Sequence, residues 1–379
     1  MEKNKLKHLL LAVLTMVAIA ACRRIPPLPP DGPTPVTPED SLENVVGVYV
    51  LNESNMGNNK ATLDYFDYAT GEYATNIFLL RNPQMTKDLG DVGNDIQIYG
   101  SKMYAVINCS NLVEVMDAAT ATHEGEIAIP NCRYVVFDKG YAYVSSFAGP
   151  VEMNPNARRG YVAKIDTATL QIVDTLLVGY QPEQMAVVGN RLFVANSGGY
   201  MAPNYDNRVS VINLASFTVE KEIAVGPNLH RVAADSHGRV FVSSRGDYKS
   251  AKSQLFVLDA ASASVIDSIP LAVGNMTIVG DTLYALATSY TGGSNTYFRI
   301  ALTTMEILPE CFITDGTEAQ IATPYGLAVN PDNGDIFVTD AKTYIVPGTV
   351  FCFNRQGVLK WKVIAGEIPA HFAFLKRKG

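Results

Sequence analysis

Apolar and polar residues alternate in short runs along most of the chain, and the runs come in sets that repeat. Two clear copies are Gln184-Met-Ala-Val-Val-Gly-Asn-Arg-Leu-Phe-Val-Ala-Asn196 and Arg231-Val-Ala-Ala-Asp-Ser-His-Gly-Arg-Val-Phe-Val-Ser243. Each opens on an apolar segment, breaks at a Gly-bearing turn and resumes with an aromatic followed by small or β-branched residues, the pattern of two paired strands. The aromatic markers of this second strand are Tyr49, Tyr104, Tyr143, Phe193, Phe241, Tyr284 and Phe337, spaced by roughly forty to fifty-five residues, a blade length. A loop follows each marker. A third strand then ends on an acid or amide, as in Val115-Met-Asp117 and Val257-Leu-Asp259, and a fourth often closes on Val-Gly, as in Leu177-Val-Gly179 and Ala224-Val-Gly226.

The seventh copy is split between the two ends. Residues 45–80 supply second, third and fourth strands with no first strand before them, whereas Pro369-Ala-His-Phe-Ala-Phe-Leu375 is a first strand with no successors. Pairing these ends closes a ring and removes open strand edges. The expected fold is therefore all-β, a seven-bladed β-propeller closed by a C-terminal first strand joining the N-terminal blade, over residues 45–379.

The residues before it read differently. Lys3, Lys5 and Lys7 precede an apolar run from Leu9 to Ala18, and the stretch ends Ile19-Ala-Ala-Cys22. This predicts a signal peptide over 1–21, and the residues before Cys22 resemble the lipobox of bacterial lipoproteins, which implies lipidation of Cys22. Seven prolines between Arg23 and Asp40 predict an extended tether over 22–44, with little room for hydrogen-bonded structure. Removing residues 1–21, with three Lys and one Glu, takes the formal charge from −7 to −9. So acidic a body argues against nucleic acid as a partner.

Loop length separates the two faces of the expected ring. One face carries minimal turns such as Val188-Gly-Asn-Arg191 and Asp235-Ser-His-Gly238. The other carries long loops over 52–61, 147–160, 197–207, 244–253, 288–296 and 340–347, dense in Asn, Ser and Tyr. Long loops in a compact repeat carry function. Tyr offers a rigid flat surface with a polar tip and Asn both donor and acceptor, so uncharged contacts are expected to dominate there. The candidate ligand-binding residues are Asn52, Asn108, Asn196, Tyr200, Tyr205, His230, Arg245, Tyr248, Tyr290, Tyr325, Tyr344 and His371. For any single residue a turn-building role competes, and Asn108 and Asn196 also suit backbone satisfaction.

Chemistry beyond binding is thin. No nucleophile elbow occurs, and His230 and His371 sit at first-strand starts without carboxylates at ligand spacing, so neither catalytic residues nor a metal site are expected. Arg245-Gly-Asp247 matches an adhesion tripeptide that three residues produce by chance. Cys109 and Cys132 fall near one face, where a disulfide and buried thiols are both compatible with their spacing.

Val187-Val-Gly-Asn-Arg-Leu-Phe-Val-Ala-Asn196 followed by Val209-Ser-Val-Ile-Asn213 resembles the YncE-type seven-bladed propellers. With Cys22, the tether and Val48-Tyr-Val-Leu-Asn-Glu-Ser-Asn55, the chain resembles propeller lipoproteins of Bacteroides-type bacteria, among them the BtuG-like surface cobalamin-binding proteins. That resemblance implies a non-enzymatic outer-membrane lipoprotein that captures cobalamin as transported ligand, not cofactor, and passes it to a TonB-dependent transporter. Arg23-Arg24 departs from the acidic residues that commonly follow the cysteine in surface-exported relatives. The competing reading is a protein-interaction scaffold or accessory of another nutrient-uptake system.

Overall fold

The computed structural model describes residues 32–36, 44–289, 294–308 and 310–377. Cys22 and Tyr290 lie outside the described residues. Seven antiparallel sheets form the blades, and the seven aromatic markers all fall on second strands. Blade one is Pro369–Lys376, Val45–Asn52, Thr62–Asp67 and Glu72–Ala74. Blade two is Gly93–Tyr99, Lys102–Ile107, Leu112–Asp117 and His123–Ala128. Blade three is Cys132–Asp138, Tyr141–Ser146, Tyr161–Asp166 and Ile172–Leu177. Blade four is Pro182–Val188, Arg191–Asn196, Arg208–Asn213 and Thr218–Ala224. Blade five is Leu229–Ala234, Arg239–Ser244, Gln254–Asp259 and Ser264–Ile269. Blade six is Asn275–Val279, Thr282–Ala287, Thr296–Ala301 and Glu306–Leu308, and blade seven is Pro324–Val329, Ile336–Asp340, Pro347–Phe353 and Leu359–Glu367.

The innermost strand of each blade packs on the innermost strand of the next, from blade one around to blade seven and back. The closing strand Pro369–Lys376 pairs with Val45–Asn52 from Val45↔Lys376 to Asn52↔Pro369. The seam behind it is aromatic: Trp361 lies 4.7 Å from Phe66 and 5.9 Å from Phe337, which also meets Phe372 at 5.7 Å. These rings from blades seven and one share one apolar cluster, so losing the last strand would strip a core as well as a sheet edge.

Two expectations change. Blade one has a fourth strand of only three residues, after which the chain turns into a helix at Ile77–Arg81 rather than continuing as strand to residue 80. Ile77 and Phe78 bury their side chains there, and Asn82 donates to Phe78 O and to Ala121 O of blade two. An apolar run this short has no period that distinguishes helix from strand. Part of the Pro-rich segment is also hydrogen-bonded: Thr34–Pro35 pairs with Glu72 and Tyr73 as a fifth strand outside blade one. Pro35 is tolerated there because an outer edge leaves one row of N–H positions unused.

Candidate functional site

Faces divide as the loop lengths require. On the tight-turn face, the acid or amide ending the third strand accepts the backbone N–H groups of its own turn. Asp117 accepts from Ala119 and Thr120, Asp166 from Ala168 and Thr169, and Asn213 from Ala215 and Ser216. These side chains are committed to the backbone. The Thr169 N–H is the main reason that Asp166 is held below the ordinary carboxylate range.

At the loop end the innermost strands begin irregularly. In blades three, four, five and seven the ladder skips two residues: Cys132 pairs with Ser146 and Val135 with Val144, and the same shift separates Pro182 from Met185, Leu229 from Val232 and Pro324 from Leu327. Such bulges re-aim side chains. Hydroxyls of the second strand hold them. Ser145 accepts Tyr134 N–H and donates to Glu183 O, Ser243 accepts Arg231 N–H, and Thr339 accepts Gly326 N–H.

The bulged positions carry Arg133 and Tyr134, Glu183 and Gln184, His230 and Arg231, and Tyr325 and Gly326, so blades three, four, five and seven deliver a polar cluster to the centre of the ring. Arg133 pairs with buried Glu183 at 3.1 Å. Burial opposes the Arg133 charge, but Glu183 reverses this and raises its pKa. Tyr325 donates to Glu53 Oε2 at 2.7 Å, and burial raises the Glu53 carboxyl above its usual range. Arg231 Nη1 donates to Tyr134 Oη at 3.2 Å, and Tyr134 Oη and Arg245 Nη2 approach His230 Nε2 at 3.3 and 2.9 Å. With both neighbours as donors, Nε2 is the acceptor and the ring proton sits on Nδ1. Burial first, then Arg245, Arg231 and Arg133, hold the His230 pKa far below its usual value, and burial with Arg231 and Arg133 does the same for half-buried His371. Both imidazoles are neutral near pH 7.

Two cavities open above this cluster. One, of about 480 Å³, is lined by Glu53, Ser54, Arg133, Glu183, Asn228 and Tyr200 among others; the second, of about 580 Å³, reaches between blades five, six and seven past Arg231, Val273, Leu286 and Pro324. Arg245, Tyr248 and Tyr325 line both. Within the first, the buried Ser54 Oγ and Asn228 Oδ1 have no hydrogen-bond partner, unmet capacity that a ligand's polar groups would satisfy. Tyr248, 71% exposed, and Tyr344 stand on the rim with φ of 59° and 66°. Left-handed backbone at a tyrosine costs about 1 kcal/mol or more, and such outliers gather at functional sites.

Of the residues expected from sequence, Arg245, Tyr200, Tyr248, Tyr325 and Tyr344 line the first cavity, and His230 lines the second. Tyr205 is half-buried against Tyr248, ring centroids 6.3 Å apart. Asn108 touches the first cavity but spends its amide on Asn131 and on Cys132 O. Asn52 and Asn196 do not reach either cavity. Asn196 accepts Gly179 N–H and donates to Arg208 O and Ser210 Oγ, and Asn52 donates to Thr62 in the matching place in blade one. Both are buried strand-end ties.

The centre is also more charged than expected. Glu53, Arg133, Glu183 and Arg231 were not anticipated, although stacking the seven first strands would have shown Asn94, Arg133, Glu183, His230 and Tyr325 at one shared position, the second of the strand. Gly246 of the Arg-Gly-Asp tripeptide has φ 71°, a Cβ there would lie 2.1 Å from Ala251 O, and Asp247 caps Lys249 and Ala251 N–H. Its Gly and Asp are turn-builders. The described cysteines are all free thiols, so Cys109 and Cys132 do not form a disulfide. Among the described residues, no three His, Cys, Asp or Glu side chains converge as a metal cage, and no helix is long and apolar enough to cross a membrane.

Fold and site define a seven-bladed propeller with a polar funnel at one mouth. Within that class, the chain belongs to the family described as Domain of unknown function (DUF5074), whose model matches residues 46–355. No curated protein matches. Among solved structures it is similar to a functionally unknown protein from Desulfotomaculum acetoxidans, at 12% identity and TM-score 0.61 over 89% of this chain and 100% of that one. It is also similar to hydrazine synthase of Kuenenia stuttgartiensis, at 15% identity and TM-score 0.59 over 75% and 89%, and to apo AztD from Citrobacter koseri, at 12% identity and TM-score 0.52 over 88% and 99%. At these identities the likeness establishes the propeller alone.

Proposed function

We propose that the protein is a non-enzymatic, lipid-anchored binding propeller of the outer membrane that captures a bulky amide- and hydroxyl-rich ligand at its long-loop mouth, with cobalamin as the ligand. The observation that carries this is the pair of adjoining cavities under an aromatic rim, floored by buried polar groups of which Ser54 and Asn228 are unsatisfied. Few polar groups set precisely in a concave, partly apolar wall are the general design of a ligand site. Cobalamin offers a flat macrocycle for Tyr200, Tyr248 and Tyr344, edge amides for Asn and Ser, and a phosphodiester for guanidinium groups. Handover to a TonB-dependent transporter follows from the resemblance and from anchoring through Cys22.

Protein mixed with cobalamin at micromolar concentration is expected to retain its colour through desalting; complete loss of colour rejects the ligand. His230 and His371 substituted together should leave uptake of colour largely intact if they only line the channel. A second reading, a scaffold for another protein, is favoured by Met56, Met153 and Ile345, which are 61%, 65% and 58% exposed on the long loops. Co-purification of a transporter without any small-molecule binding would select it.

A further inference from the structure

We propose that the cavity between blades five, six and seven is an anion subsite, in which Arg231 and Arg245 seat one carboxylate, sulfonate or phosphodiester group borne on a neutral, partly apolar body. This rests on the reading of the long-loop mouth as a ligand site, and names the chemistry that part of it takes.

Three guanidinium groups meet at the channel mouth, and they are not equivalent. Arg133 has its counter-ion in Glu183. Arg231 donates to Tyr134 Oη and, at 3.4 Å, to Gly274 O, while Arg245 donates to His230. Neither forms an ion pair among the described residues. Glu53 senses both electrostatically, but the hydrogen bond it accepts comes from Tyr325. Arg231 is only 7% exposed. A buried guanidinium without an anion is costly, and its remaining donors are directional.

The serine and threonine hydroxyls around the same cavity are already used. Ser244 donates to Pro227 O, Ser253 to Arg245 O and Thr288 to Pro324 O. Apart from the exposed Tyr248 hydroxyl, the uncommitted side-chain polar capacity is therefore cationic. Opposite it, Val273, Leu286, Ala287 and Pro324 form an apolar wall, and exposed Tyr248 stands over the entrance. A charged floor facing an apolar wall selects an amphipathic anion over either a sugar or a plain hydrocarbon. Because the mature body is acidic, the attraction is local to this floor.

The test uses the full mature chain and two fluorescent probes with the same aromatic body. One is 8-anilino-1-naphthalenesulfonate, which is anionic, and the other is N-phenyl-1-naphthylamine, which is uncharged. Wild type is expected to take up one sulfonate probe, with affinity falling as salt is raised to about 0.5 M. Arg245→Gln should weaken it by about tenfold or more, the worth of a charge-assisted hydrogen bond. Arg245→Lys should keep most of the affinity, and the uncharged probe should be indifferent to both. Equal binding of the sulfonate by Arg245→Gln, or equal losses for both probes, overturns the subsite. Since Arg231 is buried and its variants risk misfolding, Arg245 carries the test. A chain that ignores cobalamin yet shows Arg245-dependent, sulfonate-selective binding rejects the vitamin and leaves the subsite standing. Cobalamin uptake with probe binding indifferent to Arg245 does the reverse.

Discussion

The two ends of the ring use the same residue types in opposite ways. At the tight-turn end, Asp166 and Asp259 each accept hydrogen bonds from their own turn, and their carboxyls are held below the ordinary range. At the loop end, Glu53 and Asp95 are pushed upward by burial, Asp95 to about 6. One end places solvent-accessible acids where the backbone stabilises them, although burial raises Asp335 there to about 6 and Asp247 on a long loop is lowered by the Lys249 N–H. The other places acids, guanidinium groups and imidazoles where solvent no longer does, an arrangement typical of sites that bind something. The difference originates in the backbone: bulges at the starts of the inner strands re-aim side chains at the loop end, whereas Asp or Asn side chains cap the turns at the other, where cavities of about 440 and 520 Å³ also open.

The largest test of that contrast compares two buried ion pairs. Arg133→Ala at the loop end strands Glu183, and Asp235→Ala at the turn end strands Arg239, which pairs with it at 2.6 Å. Each is expected to cost about 3–5 kcal/mol in chemical denaturation. Only Arg133→Ala should also abolish ligand binding by the folded fraction.

A smaller effect is expected at the rim. Tyr248→Ala removes an exposed ring, so stability should change by less than about 0.5 kcal/mol, while ligand affinity, measured by titration, drops by about 2 kcal/mol, the scale of an aromatic anchor. Loss of stability without loss of affinity would make Tyr248 a structural residue. At the opposite end Asp117→Ala, which frees the N–H groups of Ala119 and Thr120, should cost about 1 kcal/mol and leave binding untouched.

A last effect concerns pH. Asp95 binds its proton more tightly in the folded chain, where its pKa is about 6, than in the unfolded one, at about 3.9. Its ionisation therefore destabilises the fold, and stability from this group is lost as pH rises from about 4 through about 6. Asp95→Asn should gain melting temperature relative to wild type between pH 5 and pH 7.5. A difference independent of pH would contradict the assignment.

Much of this architecture could be read from the chain because strands bury one face and so repeat apolar residues with period two. The seven aromatic markers needed no partner to be recognised, and Pro369 to Leu375 had to pair with something. Loop length likewise separated the face of long loops from the face of tight turns. What the sequence concealed was convergence across the ring. Arg133, Glu183 and Arg231 are separated by about fifty residues each, a distance set by blade length, and nothing local tells that their side chains meet. Asn52 and Asn196 misled for the complementary reason. They end strands beside long loops, but their amides satisfy groups inside the blade. The helix at Ile77–Arg81 escaped because five residues carry too little periodicity.

Backbone hydrogen exchange, followed with and without saturating cobalamin, tests most directly whether the long-loop face holds the ligand. The expected result is slowed exchange at residues 53–60, 197–207, 245–253 and 341–346, with the turns at 139–140, 189–190 and 235–238 unchanged. Protection confined to those turns, or none at all at saturation, would contradict it.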